Sequence, residues 1–310
     1  MNQRTVAVIG GGTIGLSWAC LFAAKGFMVK LYDPRPDLAE SLSAFAPAAL
    51  ADICTDNTEK EAARQRIAIC ADLTDTLNNV CLIQEAGPEN TAFKQNFWQQ
   101  AEQLAPQNAL FCSSSSGIPA SVQNCKMKQP RRLLIAHPFN PPHLLPLVEI
   151  SAADNTPDSA FAPVMAFYRE IGKYPVRLRR EIDGFVANRL QIALVNEAIH
   201  LIDSGVCTPQ ELDDIVTHSL GIRWAAIGPL QAFHLGGGTG GLAQFMQHIG
   251  IGLAAHIGQE TRFDAAVLAK VTHQTETDYP LSKRGLLCRR RDRKQAAILA
   301  ALQDANDMPD

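Results

Sequence analysis

The feature that most restricts the fold is the run from Thr5 to Gly26. A five-residue apolar stretch, TVAVI, meets Gly10-Gly11-Gly12-Thr13-Ile14-Gly15, and a helical pattern then passes through Leu16, Cys20, Leu21 and Ala24. A short apolar run rich in β-branched residues reads as a buried strand, and apolar residues three and four apart read as one face of a helix. Between them Gly10, Gly12 and Gly15 have the G-x-G-x-x-G spacing. The first glycine serves a tight turn, the second a close approach of the backbone to a pyrophosphate, and the third close packing of helix on strand. Thr13 and Ile14 then open the helix with free N–H groups and the positive end of its dipole. A second strand, Met28 to Tyr32, ends in Asp33. An acidic residue about 20 positions beyond the glycines suits a ribose 2′-hydroxyl and repels a 2′-phosphate. That points to NAD rather than NADP, with Arg35 arguing the other way.

Strand and helix patterns go on alternating. Pro34 to Ala71 is expected to be a helical excursion, with Leu38, Leu42, Phe45, Ala49 and Ile53 at helical intervals and Lys60 as its only lysine. Val80 to Gln84 reads as a strand that leads into Glu85, expected at the cofactor cleft. Thr91 to Leu104 reads as a helix, and Ala109 to Cys112 as a strand running into Ser113-Ser114-Ser115-Ser116-Gly117. A loop in that position faces the ligand crevice of a doubly wound sheet, although a serine tract also suits a flexible connection. The alternation reaches about Val176 and predicts a Rossmann-type doubly wound α/β sheet.

After Arg179 only helices are expected. Phe185 to Ser204 is amphipathic and closed by Gly205, and Thr208-Pro209-Gln210-Glu211 has capping-box spacing for a helix ending at Gly221. The predicted division is an α/β domain over residues 1–182 and a smaller helical substrate and dimerisation domain over 183–310. Gly236 to Gly241 repeats the glycine spacing with no strand before it, which leaves a mobile loop over the substrate or an interhelical connection. The basic run from Lys283 to Lys294, with Arg289, Arg290, Arg291 and Arg293, reads as a solvated helix face.

The chemistry is expected in LLIAHPFNPPHLLPLVEI, Leu133 to Ile150, where two apolar strands flank a loop stiffened by Pro138, Pro141, Pro142 and Pro146. His137 ends the first strand and Glu149 sits inside the second. A carboxylate on a buried element is costly without a partner, so a His137–Glu149 dyad is predicted. His143 is held in reserve.

With 310 residues, 46% of them apolar, the chain has material for about two domains. A net charge of -3 gives no general attraction to nucleic acid or to an anionic membrane. Eight cysteines lie without C-x-x-C spacing, so neither a disulfide nor a metal site is expected. No apolar run is long enough to span a bilayer, and Met1 to Arg4 leaves no room for a signal peptide, so a cytoplasmic location is expected.

VIGGGTIG, SSSSG, HPFNPPHLLPLVE and GFVANRL, in this order and separation, resemble the L-3-hydroxyacyl-CoA dehydrogenase family across nearly the whole chain. The resemblance implies NAD as cofactor, His137 as catalytic base, Glu149 as its partner, Ser116 and Asn188 as substrate contacts, and a homodimer. IQEAGPEN, GIRWAAIGPL and FHLGGGTGG resemble the branch of lambda-crystallin, L-gulonate 3-dehydrogenase and carnitine dehydrogenase, which implies a free L-3-hydroxy acid as substrate. Members that use CoA thioesters carry a longer, lysine-rich arm where this chain has Pro34 to Ala71. Trp224, Phe233 and Phe139 are candidates for a pocket around a trimethylammonium group. The alternatives are a 3-hydroxyacyl-CoA dehydrogenase and, more remotely, a non-catalytic crystallin-like NAD-binding protein.

Overall fold

The TVAVI run forms β1 (Thr5–Ile9) with four of its five residues buried, as in a central parallel strand covered by helices on both faces. The computed structural model describes residues 4–257 and 265–306. The described strands are β1, β2 (Met28–Tyr32), β3 (Ile67–Ile69), β4 (Leu82–Glu85), β5 (Leu110–Ser113), β6 (Leu133–Pro138), β7 (Leu147–Ser151) and β8 (Tyr174–Arg177). They make one sheet in the order β3-β2-β1-β4-β5-β6-β7-β8. β1 to β6 run parallel, β7 lies antiparallel to β6, and β8 is parallel to β7. Strand order reverses between β1 and β4, and a ligand crevice opens beyond the carboxyl ends of the strands at such a reversal.

Helix α1 (Thr13–Ala24) is buried from Gly15 to Ala23, with Trp18 and Phe22 fully enclosed and stacked 5.3 Å apart. Each such ring contributes roughly 1.5–3 kcal/mol through burial. Alongside α1 lie α2 (Leu38–Ala51), α3 (Asn57–Gln65) and, on the same core, α7 (Asp158–Glu170). A second core is built from α4 (Leu73–Leu77), α5 (Thr91–Leu104) and α6 (Ala120–Gln123), with Trp98 at its centre. The expected helical excursion thus also contains β3, whose three residues bond β2 and leave two of their side chains exposed. So short an edge strand has no apolar run to mark it. Cys20 and Cys112 pack in the core, where burial pushes both thiols up to about 12, and the cysteines are unpaired.

The chain divides into two compact units after Leu194. The second holds the latter half of α8 (Phe185–Asp203), then α9 (Pro209–Ile215), α10 (Ile222–Ala226), α11 (Pro229–Gly236), α12 (Gly241–Phe245), α13 (Ile251–His256), α14 (Ala265–Asp278) and α15 (Arg284–Asn306), with no strand among its described residues. Thr208 and Glu211 make both bonds of the capping box. The helix does not end at Gly221, which keeps helical angles and passes through a widened turn, Val216–Gly221, into α10. The Gly236–Gly241 run joins α11 to α12 and is tightly packed: a Cβ at Gly237 would lie 1.8 Å from the Gly241 carbonyl oxygen, and Gly241 takes φ +59. Of the basic run, Arg290 and Arg293 are exposed, while Lys294 donates to the Ala226 carbonyl at 3.2 Å. The side chains of Arg289 and Arg291 and the expected leaderless start at Met1 lie outside the described residues. No helix among the described residues is long and apolar enough to cross a membrane.

Candidate active site

The glycine turn is shaped for a pyrophosphate. Gly10 takes φ +103, where a Cβ would meet the Ala86 carbonyl oxygen at 2.4 Å, and a Cβ at Gly15 would lie 1.9 Å from the Gly10 oxygen. Those two glycines are needed for packing. A Cβ at Gly12, by contrast, would meet nothing within 4 Å, so the backbone there is bare toward open space. Gly12 also begins α1 with no side chain capping it, which leaves the first N–H groups of Thr13 and Ile14 to an anion. At the end of β2 the Asp33 carboxylate accepts from Gly11 N at 2.6 Å, Arg35 N at 2.9 Å and Arg35 Nε at 3.1 Å. Partial burial works against its ionised form, but the bonds from Gly11 and Arg35 outweigh this and hold it below the usual carboxylate range. An uncapped helix start, a bare Gly12 and an ionised Asp33 fit a dinucleotide.

Glu85 ends β4 in register with Ile9, the last residue of β1. It is fully buried, with its carboxylate bonded to Lys94 Nζ at 2.8 and 3.0 Å, to Ser113 Oγ at 2.6 Å and to Gly87 N at 2.8 Å. Its side chain is enclosed by these partners rather than offered to a cofactor. Glu89, four positions on, is exposed. Burial raises its pKa, yet the Ser115 hydroxyl, the Lys94 charge and the Gly117 and Ile118 N–H groups bring it below the usual value. Neither Glu89 nor Lys94 stood out in the sequence, although an acidic pair flanking Gly87-Pro88 and a lysine on the next helix face was a readable signal.

This network pins the serine tract. Ser113 donates to Glu85, Ser114 accepts from Trp18 Nε1 and Gln84 Nε2 at 3.2 and 2.7 Å, and Ser115 donates to Glu89 at 2.5 Å. Ser116 alone of the four is exposed. Its carbonyl oxygen accepts from Asn188 Nδ2 at 3.2 Å, so two of the expected substrate contacts are neighbours.

His137 and Glu149 stand directly opposite each other in the antiparallel β6–β7 pair, which puts their side chains side by side on one face. His137 Nδ1 and Glu149 Oε2 are 2.9 Å apart, and both residues are 3% exposed. Glu149 Oε1 accepts from Val186 N at 3.0 Å and Ala187 N at 3.1 Å, in the first turn of α8. Burial favours its neutral form, but His137 and the two N–H groups prevail and keep it ionised below the usual range. An ionised carboxylate only accepts, so Nδ1 carries the proton, and in the neutral ring Nε2 is the lone-pair nitrogen. The rings of Phe139 and Phe185 stand 5.8 and 5.1 Å from the imidazole. Phe185 holds φ +52, an unusual angle for a bulky residue, just where α8 turns to face Glu149. His143 is fully engaged elsewhere, with Ser17 Oγ at 2.8 Å and Asp52 Oδ2 at 3.2 Å from its two ring nitrogens. It ties the proline loop to α1 and α2. Lys173 braces the same loop through the Pro142 and Leu145 carbonyls, and burial pushes its amine down to about 8.

Comparison with known proteins identifies the family. Residues 5–182 match the NAD binding domain of 3-hydroxyacyl-CoA dehydrogenase, and residues 184–279 match its C-terminal domain. The L-carnitine dehydrogenase of Streptomyces coelicolor is 35% identical over 249 residues, 80% of this chain and 78% of the relative. A 3-hydroxyacyl-CoA dehydrogenase of Gibberella moniliformis is 38% identical over 251 residues, 80% and 77% of the two chains. Among solved structures, 5-formyl-3-hydroxy-2-methylpyridine 4-carboxylic acid 5-dehydrogenase, an NAD+ dependent dismutase, superposes with a TM-score of 0.73 at 26% identity, covering 95% of this chain and 97% of the other. The bare glycine turn, the Rossmann sheet and the two matched domains make this chain an NAD-dependent oxidoreductase of CH–OH groups that belongs to the 3-hydroxyacyl-CoA dehydrogenase family.

Proposed function

We propose that the chain oxidises the 3-hydroxyl of a free L-3-hydroxy acid of carnitine or gulonate type, with His137 as base and Glu149 as its partner. The observation that carries the reading is the pairing of one imidazole nitrogen: Nδ1 is held by Glu149, which leaves Nε2 of the neutral ring as the basic nitrogen. Bound NAD supplies the nicotinamide that accepts the C3 hydride. His137 Nε2 takes the hydroxyl proton, and Glu149, held ionised by Val186 and Ala187, offsets the charge that the ring gains. Ser116 offers its exposed hydroxyl to the substrate oxygen. Asn188, braced against the Ser116 carbonyl, holds the same oxygen or the carboxylate.

A free acid is favoured by the composition of α2 and α3. Lys60 is the only lysine between Pro34 and Ala71, whereas the several phosphate charges of CoA call for cationic partners. The similarity to an L-carnitine dehydrogenase supports the same reading, and the similarity to a 3-hydroxyacyl-CoA dehydrogenase keeps the thioester as the second one. Initial rates of NADH formation with carnitine, L-gulonate, 3-hydroxybutyrate and 3-hydroxybutyryl-CoA decide between them. Turnover on one free acid alone is the expected outcome, and preference for the thioester overturns it.

The same proposal includes a homodimer made by the helical unit and a cytoplasmic location, where NAD is available. Exposed Ile199, Val206, Ile215 and Leu253 in that unit support self-association. Sedimentation at the monomer mass of 33.6 kDa would refute the dimer, and recovery of the enzyme outside the cytosolic fraction would refute the location.

A further inference from the structure

The cation needed to bind a 2′-phosphate is already built into the ribose end of the cofactor cleft. Arg35 lies across the glycine turn: its Nε donates to Asp33 Oδ1 at 3.1 Å and an Nη to the Gly11 carbonyl oxygen at 2.9 Å, while the other Nη is 3.7 Å from Asp37 Oδ2. The turn makes room for it. A Cβ at Gly11 would lie 3.2 Å from the guanidinium and 2.2 Å from Leu38 Cδ1, so the guanidinium rests on bare backbone. The Arg35 side chain is 46% exposed and that of Asp33 only 11%. The carboxylate is therefore fixed from three sides, and the guanidinium has one face in solvent.

One arginine here faces two carboxylates, so the local charge is negative and a 2′-phosphate is repelled even though a cation stands beside it. We infer that Arg35 is a second determinant of cofactor choice: a positioning residue that orients Asp33 for an unphosphorylated ribose, and a latent 2′-phosphate ligand once the Asp33 charge is removed. A guanidinium suits a phosphate because its N–H groups pair with two oxygens at once. Removing the Asp33 charge leaves Arg35 opposite Asp37 alone and lifts the net negative charge, with the cation for the other cofactor already in place. The inference depends on Asp33 facing the adenosine ribose, a premise that the NAD+ arm of the experiment tests separately.

The test measures Kd for NAD+, NADP+ and adenosine 2′,5′-bisphosphate by calorimetry, without turnover, in the native chain and in Asp33→Asn, Asp33→Ser, Arg35→Gln and Asp33→Asn/Arg35→Gln. Both Asp33 variants should weaken NAD+ and tighten NADP+ and the bisphosphate, each by about tenfold or more, in line with a charge-assisted bond of ~1.5–3 kcal/mol. Adding Arg35→Gln should erase the gain for both phosphorylated ligands. Unchanged NAD+ affinity in the Asp33 variants would sink the premise. A normal loss of NAD+ affinity with no gain for NADP+, or a gain that survives Arg35→Gln, would overturn the role of Arg35. Arg35→Gln alone should weaken NAD+ a few-fold by loosening Asp33, and unchanged affinity would remove the positioning role.

Discussion

Two carboxylates are buried on strands of one sheet, Glu85 at the end of β4 and Glu149 in the middle of β7, and they differ in what their partners leave free. Glu85, on β4, is closed: Lys94, Ser113 and Gly87 take up its oxygens, and Lys94 is itself buried at 1% exposure. Glu149, on β7, is also saturated, by His137, Val186 and Ala187. The difference lies in the partner. A lysine ammonium only donates, so the Glu85 pair ends in itself and stiffens the serine tract. An imidazole bonded through one nitrogen keeps a lone pair on the other, so the Glu149 pair passes its polarity outward. A buried ionised pair in a cleft is thus no mark of catalysis by itself; what counts is the hydrogen-bonding capacity that the pair leaves unused.

The contrast breaks first at His137. In His137→Ala, turnover should fall by roughly 10²–10⁴-fold, the usual worth of a general base, while calorimetric NAD+ binding stays close to native. A loss under tenfold would remove His137 from the base role. Lys94→Met should show the opposite profile. It leaves Glu85 charged and uncompensated, costing about 3–5 kcal/mol in urea unfolding, and adding Glu85→Gln should recover part of that loss. A cost below ~1 kcal/mol would mean that the pair is not structural.

Acid sharpens the comparison further. The folded pKa of Glu149 lies below its ordinary 4.5, so its contribution to stability is complete above that value and is lost as pH falls through the lowered one. Glu149→Gln should therefore flatten the acid side of the stability curve, read as urea midpoints across that range; an unchanged curve would contradict the assignment. The smallest effect is expected at Ser116, whose hydroxyl is exposed. Ser116→Ala should raise KM by roughly threefold to tenfold, the worth of one hydrogen bond of ~0.5–1.5 kcal/mol, with no change in unfolding midpoint. Ser113→Ala, by disturbing Glu85, should instead lower that midpoint.

The doubly wound fold and the helical character of the second unit were legible because their signals are local. A strand, a glycine turn and a helix are written within the 22 residues from Thr5 to Gly26, and the capping box within the four from Thr208 to Glu211. β3 and β8 escaped precise placement because they are short and lie at the two edges of the sheet, where exposure removes the apolar pattern. Gly221 looked like a stop and proved to be helical, since packing of the helices on either side overrides the propensity of one glycine.

The amino-acid sequence alone determined where a dinucleotide could rest and which histidine and glutamate lay on neighbouring buried strands, because spacing along the chain dictates those features. Only the tertiary structure decided how each polar group is spent. It closed Glu85 with Lys94 and Ser113, engaged His143 with Ser17 across 126 positions of sequence, and aimed the start of α8 at Glu149. Hydrogen-bond valence is filled by whatever the fold brings within about 3 Å, and sequence separation carries no record of that approach.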